Sequence, residues 1–189
     1  MRSDVKNMVK NTLVVFITVF VFSLILAETY QTLIVPIEKE RAATETNYFV
    51  DLFEGATFNK NSMSYEGKEV EYWEALEGGE LAGYVGKVST TGAQTAGSNP
   101  LIAFVALDGD LRVIKVIVPE DLLTETPGLG SRIAEEQFLQ RFEGLSAEEI
   151  ALSSEGGSID AITGATQSSA ALTEGIRFVV EALSEEVGA

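Results

Sequence analysis

Residues 101–118 read LIAFVALDGDLRVIKVIV, two apolar runs of seven and eight residues on either side of Asp108-Gly109-Asp110. An Asp-Gly pair between β-branched runs is a strong local hairpin signal, because both residues tolerate the positive φ of a tight reversal. Upstream, residues 69–76 (EVEYWEAL) and 81–90 (LAGYVGKVST) flank Glu77-Gly78-Gly79-Glu80, which predicts a second hairpin. Residues 90–100 are a polar, Gly-rich connection with no assigned chemistry. Downstream the period changes. Residues 131–142 (SRIAEEQFLQRF) place Ile133, Phe138, Leu139 and Phe142 at helical spacing, with Gly144 as a stop. A final helix is expected over about residues 167–186, with Ala171, Ile176, Val179, Val180 and Leu183 as its buried stripe. Strands in hairpins followed by helices predict an α+β fold with an antiparallel sheet.

Residues 11–27 (NTLVVFITVFVFSLILA) carry no charge. A span needs about 20 residues, which this run reaches if Lys10 snorkels. A retained transmembrane helix is expected over 11–30 in preference to a cleaved signal, because the large Ile25 sits where a cut after Ala27 requires a small side chain. Arg2, Lys6 and Lys10 precede the run and Glu28 follows it, so the positive-inside rule keeps residues 1–10 in the cytoplasm and sends the remainder outside. Residues 31–60 are expected to be a helical juxtamembrane linker, with Tyr48, Phe49, Leu52 and Phe53 docking on a domain that occupies 61–189.

Composition excludes several chemistries. The formal charge is −16, from 13 Lys and Arg against 29 Asp and Glu, and phosphate neutralisation needs the opposite balance, so nucleic acid is not an expected partner. With no Cys, the chain supplies no thiolate for an iron–sulfur cluster and no thioether for haem. With no His, it also lacks the commonest general base and transition-metal ligand. No metal site is expected. Any electron carrier here is an organic cofactor or a group held by oxygen ligands.

Residues 158–169, SIDAITGATQSS, stand directly before the last predicted helix. Gly164 is suited to a tight turn, and Thr166 falls at or near the helix N-terminus, where backbone N–H groups and the helix dipole favour an anion. In isolation Thr-Gly-Ala-Thr reads as an ordinary N-cap and Asp160 as a solvated loop acid. Asp160-Ala161-Ile162-Thr163-Gly164-Ala165-Thr166 nevertheless matches every fixed position of the flavinylation motif D-x-x-[S/T]-G-A-T, and so resembles the FMN-binding domain family. A second match lies upstream: Glu125-Thr126-Pro127-Gly128-Leu129-Gly130 is similar to the same family's signature loop. Pro127 stiffens that loop, and its glycines admit a planar ring close to the backbone. Gly83-Tyr84-Val85-Gly86 resembles a weaker family feature, which makes Tyr84 a candidate flank of the pocket against its plain reading as strand packing. Many relatives carry a His shortly before the loop's Glu; here Leu122, Leu123 and Thr124 occupy those positions.

The resemblance implies one FMN per chain, joined by a phosphoester to Thr166 and placed there by a separate Mg-dependent flavin transferase that consumes FAD. It implies Asp160, Thr163, Gly164 and Ala165 as the recognition and tether wall, and Glu125, Thr126, Gly128 and Leu129 as the isoalloxazine side. No residue acting as acid or base is required. In layout and length the chain is similar to the G subunits of Rnf-type complexes, in which electrons pass between ferredoxin and NAD with ion transport in other membrane and iron–sulfur subunits. The C subunit of the sodium-pumping NADH:quinone reductase, a free-standing extracytoplasmic flavin carrier, and a redox-silent anchored sensor are the alternatives.

Overall fold

The computed structural model describes residues 2–30, 45–90, 100–123 and 125–187. The chain divides into two compact units, Met1–Glu45 and Thr46–Ala189. In the first, helix α1 (Arg2–Thr29) contains the segment Asn11–Thr29, which has a mean hydropathy of 2.3 and is long and apolar enough to cross a membrane once. Its Leu, Val, Ile and Phe side chains are exposed from Leu13 to Leu26. The hydroxyls of Thr18 and Thr29 donate back to the carbonyls of Val14 and Ile25, each at 2.8 Å, which satisfies them within the helix as a hydrocarbon environment requires.

The second unit is built on a five-stranded antiparallel meander in the order β1-β2-β3-β4-β5. Its strands are β1 (Thr57–Tyr65), β2 (Lys68–Glu77), β3 (Glu80–Thr90), β4 (Leu101–Leu107) and β5 (Val113–Ile117). Both predicted hairpins are present. Gly78 and Gly79 make the β2–β3 turn with φ of 60° and 92°. The β4–β5 reversal is longer than the expected Asp-Gly turn. Leu111 takes φ 58°, and the Asp108 carboxylate accepts from the N–H groups of Asp110 (3.0 Å) and Arg112 (2.9 Å), so β5 starts only at Val113.

β1 is the element that periodicity does not disclose. It begins at Thr57, within the stretch expected to be linker, and pairs along its length with β2 through a turn at Glu66-Gly67. Its sequence TFNKNSMSY mixes polar residues into both faces, none of its residues is fully buried, and Phe58, Met63 and Tyr65 pack only partly on the cores, so the clean alternation that marks a half-buried strand is missing. Ahead of it, Phe49 and Phe53 are buried on the sheet, where Phe49 lies 5.2 Å from the Trp73 ring and 5.3 Å from Phe104. The expected docking aromatics do pack there, but around a 3-10 turn at Val50–Leu52. The rest of the anticipated linker helix, 31–44, and the loop 91–99 fall outside the described residues.

On the opposite face the sheet carries the long helix α3 (Thr166–Val187), whose buried residues include the five predicted. The anticipated continuous helix over 131–142 is instead a 3-10 turn (Gly130–Ala134), the single α-turn α2 (Glu136–Leu139) and a further 3-10 turn (Gln140–Phe142). Geometry explains the break. Ile133 and Phe138 are five residues apart, which on a straight helix places them roughly 140° apart around the axis. The extended Glu135, at ψ 130°, returns both to the same core with Leu139 and Phe142.

Candidate functional site

The last helix starts from a turn that its sequence dictates. Ala165 N–H donates to the Ile162 carbonyl at 2.9 Å, and Gly164 takes φ 83°, so Thr163 and Gly164 occupy the centre of a turn of type II character. The first helical bond runs from Ser169 N–H to the Ala165 carbonyl, 2.9 Å. Ala165 therefore stands at the N-cap and Thr166 is the first residue inside the helix. The capping explanation for Thr166 fails on this register. Its side chain is exposed and has no hydrogen-bond partner among the described residues, while Ala165 beneath it is buried.

The turn is held from below and behind. Ser169, fully buried, accepts from Ile162 N–H at 3.1 Å. Arg141 Nη1 donates to the Asp160 carbonyl at 2.5 Å, leaving the Asp160 residue itself exposed. Thr163 and Gly164 are exposed as well.

The upstream motif folds against the same spot. The Thr126 carbonyl accepts from the N–H groups of Leu129 (3.1 Å) and Ser131 (3.2 Å), and Gly128, with φ 75°, donates its N–H to Ser131 Oγ at 2.9 Å. Thr126, Pro127, Gly128 and Leu129 are all exposed, with 53% of the Leu129 surface open to solvent. Leu129 is nonetheless close to the Thr163-Gly164 turn: a Cβ built on Gly164 would lie 3.7 Å from Leu129 Cδ2. Glu125 is different in kind. It is buried, and its carboxylate accepts from the Ser168 hydroxyl on the first turn of α3 at 2.9 Å.

Two motifs separated by some thirty residues in the chain are thus brought side by side through the Glu125–Ser168 bond, which puts an exposed hydroxyl, an exposed apolar side chain and two open glycines on one patch. Sequence reading passes over Ser168 and Ser169. Their signal is nevertheless present, since a hydroxyl in the register of Leu172 and Ile176 on a buried stripe needs a partner inside the fold.

Tyr84 is placed elsewhere. Gly175 of α3 meets Val88 and Thr90 of β3, and Val179 and Leu183 meet Gly86, so the helix runs toward Tyr84 as it leaves Thr166. By the rise of helix and strand, Thr166 and Tyr84 lie roughly 20 Å or more apart. Tyr84 is buried in the sheet's core, where burial and then the neighbouring Glu74 push its phenol pKa above the usual value. Of the expected site residues, it is the one that the fold does not bring to the two motifs.

The FMN fits this patch on the structure's own terms. A phosphate carried on the Thr166 oxygen would stand beside the N–H groups that precede the first helical bond, and the Leu129 side chain supplies an apolar surface for a planar ring. The model of the FMN-binding domain matches residues 97–181. A protein of Methanosarcina acetivorans, described as the G subunit of an ion-translocating oxidoreductase complex, is 32% identical over 120 residues, 63% of this chain and 61% of that protein. One of Stutzerimonas stutzeri with the same description is 29% identical over 119 residues, 59% of this chain and 50% of its own length. The matched stretch thus spans between half and two thirds of these curated relatives. Both motifs lie inside the matched region, and the chain is similar to the FMN-binding domain over that stretch and to the G subunits of ion-translocating oxidoreductase complexes.

Proposed function

We propose that this chain is the G-type electron-transfer subunit of a membrane-bound, ion-translocating ferredoxin:NAD oxidoreductase of the Rnf type, with FMN esterified to Thr166. The observation that carries the reading is the exposed, unpartnered Thr166 hydroxyl at the first position of α3, joined by the Glu125–Ser168 contact to a loop that offers an open leucine. Both curated relatives are G subunits, which favours this reading over the quinone-reductase C subunit and the free-standing carrier.

In maturation the Thr166 oxygen displaces AMP from the pyrophosphate of FAD on a separate transferase, forming the FMN phosphoester and releasing the hydroxyl proton. The exposure of Thr163, Gly164 and Thr166 leaves the oxygen accessible to another protein's active site. Bound FMN supplies the electron acceptance and donation. The chain's own residues do the remaining work: Thr166 fixes the cofactor covalently, the helix N-terminus steadies its phosphate, and Leu129 with the Gly128 backbone flanks the ring. The lack of any His or Cys is consistent with a relay in which protein side chains exchange neither electrons nor protons. The span in α1 anchors the domain, with the basic N-terminus cytoplasmic and the flavin outside, in contact with neighbouring membrane and iron–sulfur subunits.

Intact mass tests the tether. Wild-type chain made together with a flavin transferase should gain the mass of one FMN less water and keep its yellow fluorescence after denaturation, whereas Thr166→Val should gain nothing. An unmodified wild type under those conditions defeats the proposal.

A further inference from the structure

The exposed loop 126–129 is rooted at a single buried point. Glu125 and Gly130, which bracket it, are both buried, whereas the residues between them are open to solvent. The roots touch each other: a Cβ built on Gly130 would fall 2.2 Å from Glu125 Oε2 and 3.0 Å from Ser168 Oγ. A larger residue there would push the Glu125 carboxylate off Ser168. The Ser168 hydroxyl, itself 5% exposed, closes the arrangement by donating to Glu125 Oε2 at 2.9 Å. One side-chain hydrogen bond therefore ties the Glu125 root of the loop to the first turn of the helix that carries Thr166, with the Gly130 root packed beside it.

From this geometry we infer that Glu125 and Ser168 form a positioning latch for the flavin ring, acting through Leu129 and not as ligands of the cofactor. The inference rests on the tether reading above and assigns the two residues a role in it. The loop's internal bonds, at Thr126, from Gly128 N–H to Ser131 Oγ and from Arg132 N–H to the Leu129 carbonyl, shape its reversal, and the Glu125–Ser168 bond is the side-chain hydrogen bond among the described residues that joins it to α3 beside Gly164. With the latch made, the leucine stands next to the turn from which the FMN phosphate departs, so the ring meets a fixed apolar wall. Without it the flavin stays attached, because the ester belongs to Thr166, but its ring is free to move in water. The acceptor matters here and the charge does not. A glutamine amide oxygen accepts from the same hydroxyl, while alanine leaves it buried without a partner.

The test uses the full chain in detergent, flavinylated by a co-produced transferase, as wild type, Ser168→Ala, Glu125→Ala, Glu125→Gln and the double alanine variant. Three readouts are taken on protein with wild-type far-ultraviolet ellipticity: intact mass, visible-region circular dichroism of the bound FMN, and iodide quenching of its fluorescence. All variants should carry the FMN mass. Ser168→Ala and Glu125→Ala should lose most of the visible dichroism and quench nearly as readily as free FMN, the double variant should be no worse than the worse single one, and Glu125→Gln should resemble wild type. Loaded alanine variants with unchanged spectra would overturn the latch alone, as would Glu125→Gln behaving like Glu125→Ala, which would place the negative charge in the role. A folded Ser168→Ala without FMN would also overturn it, moving the residue to transferase recognition. If the wild type carries no FMN, the tether reading fails and the latch falls with it.

Discussion

The two ends of α3 use glycine for opposite purposes. Toward its C-terminal end, the helix lies so close to the sheet that a Cβ on Gly86 would sit 2.2 Å from Val179 Cγ1, with Val105 and Leu183 also in contact. At its N-terminal end, a Cβ on Gly164 would meet only Leu129, at an ordinary 3.7 Å, and the residue is glycine because φ is 83°. One glycine permits approach and the other permits a turn. The difference separates the part of the helix that contributes stability from the part proposed to carry the flavin: Val179, Val180 and Leu183 are buried, and Thr163, Gly164 and Thr166 are exposed.

That contrast breaks most visibly at Gly86. Gly86→Ala sets a methyl against a valine whose branched side chain has one favoured rotamer in a helix, so α3 must lift from the sheet as a unit. A loss of about 1–3 kcal/mol is expected, as for other overpacked cores, and should appear as an earlier denaturant midpoint with the slope unchanged. A neutral outcome would mean that the helix is not seated as tightly as the contact implies. Gly164→Ala should be milder. There is room for the methyl, and the cost is the left-handed backbone alone, about 1 kcal/mol. Asn at the same position tolerates this backbone better and should recover part of the loss, whereas it would be worse than Ala at Gly86.

Legibility in the sequence follows the same division. The hairpins β2–β3 and β4–β5 and the stripe on α3 are readable because buried faces impose a period. β1 is not, since its TFNKNSMSY mixes polar residues into both faces, and Phe58, Met63 and Tyr65, which pack on the two cores, are too few to impose a period. The broken helix at 130–142 keeps its predicted apolar residues and loses its predicted geometry, because spacing reports which residues are buried more reliably than which backbone buries them. The two site motifs are readable as strings. Their contact through Ser168 is not, because a hydrogen bond between residues 43 apart leaves no local periodic trace. Tyr84 shows the converse: it sits in a recognisable string, and the fold commits it to the core.

The smallest effect on stability should come from Thr166, the residue proposed to carry the flavin. Thr166→Val removes a hydroxyl that is exposed, lies one position inside the N-cap and has no partner among the described residues, so no capping bond is lost. Val and Thr have the same branched shape and similar helix propensity, and an exposed exchange of this kind changes stability by no more than about 0.5 kcal/mol. The comparison is made on chain without flavin, so that loss of the cofactor does not enter the measurement. If the variant instead unfolds with a cost near that of a lost N-cap, about 1 kcal/mol, Thr166 is serving the helix and its hydroxyl is not free for the ester. An unchanged midpoint together with complete loss of FMN would separate the two ends of α3 most sharply, since one would then tolerate no added atom and the other would lose its chemistry at almost no cost to the fold.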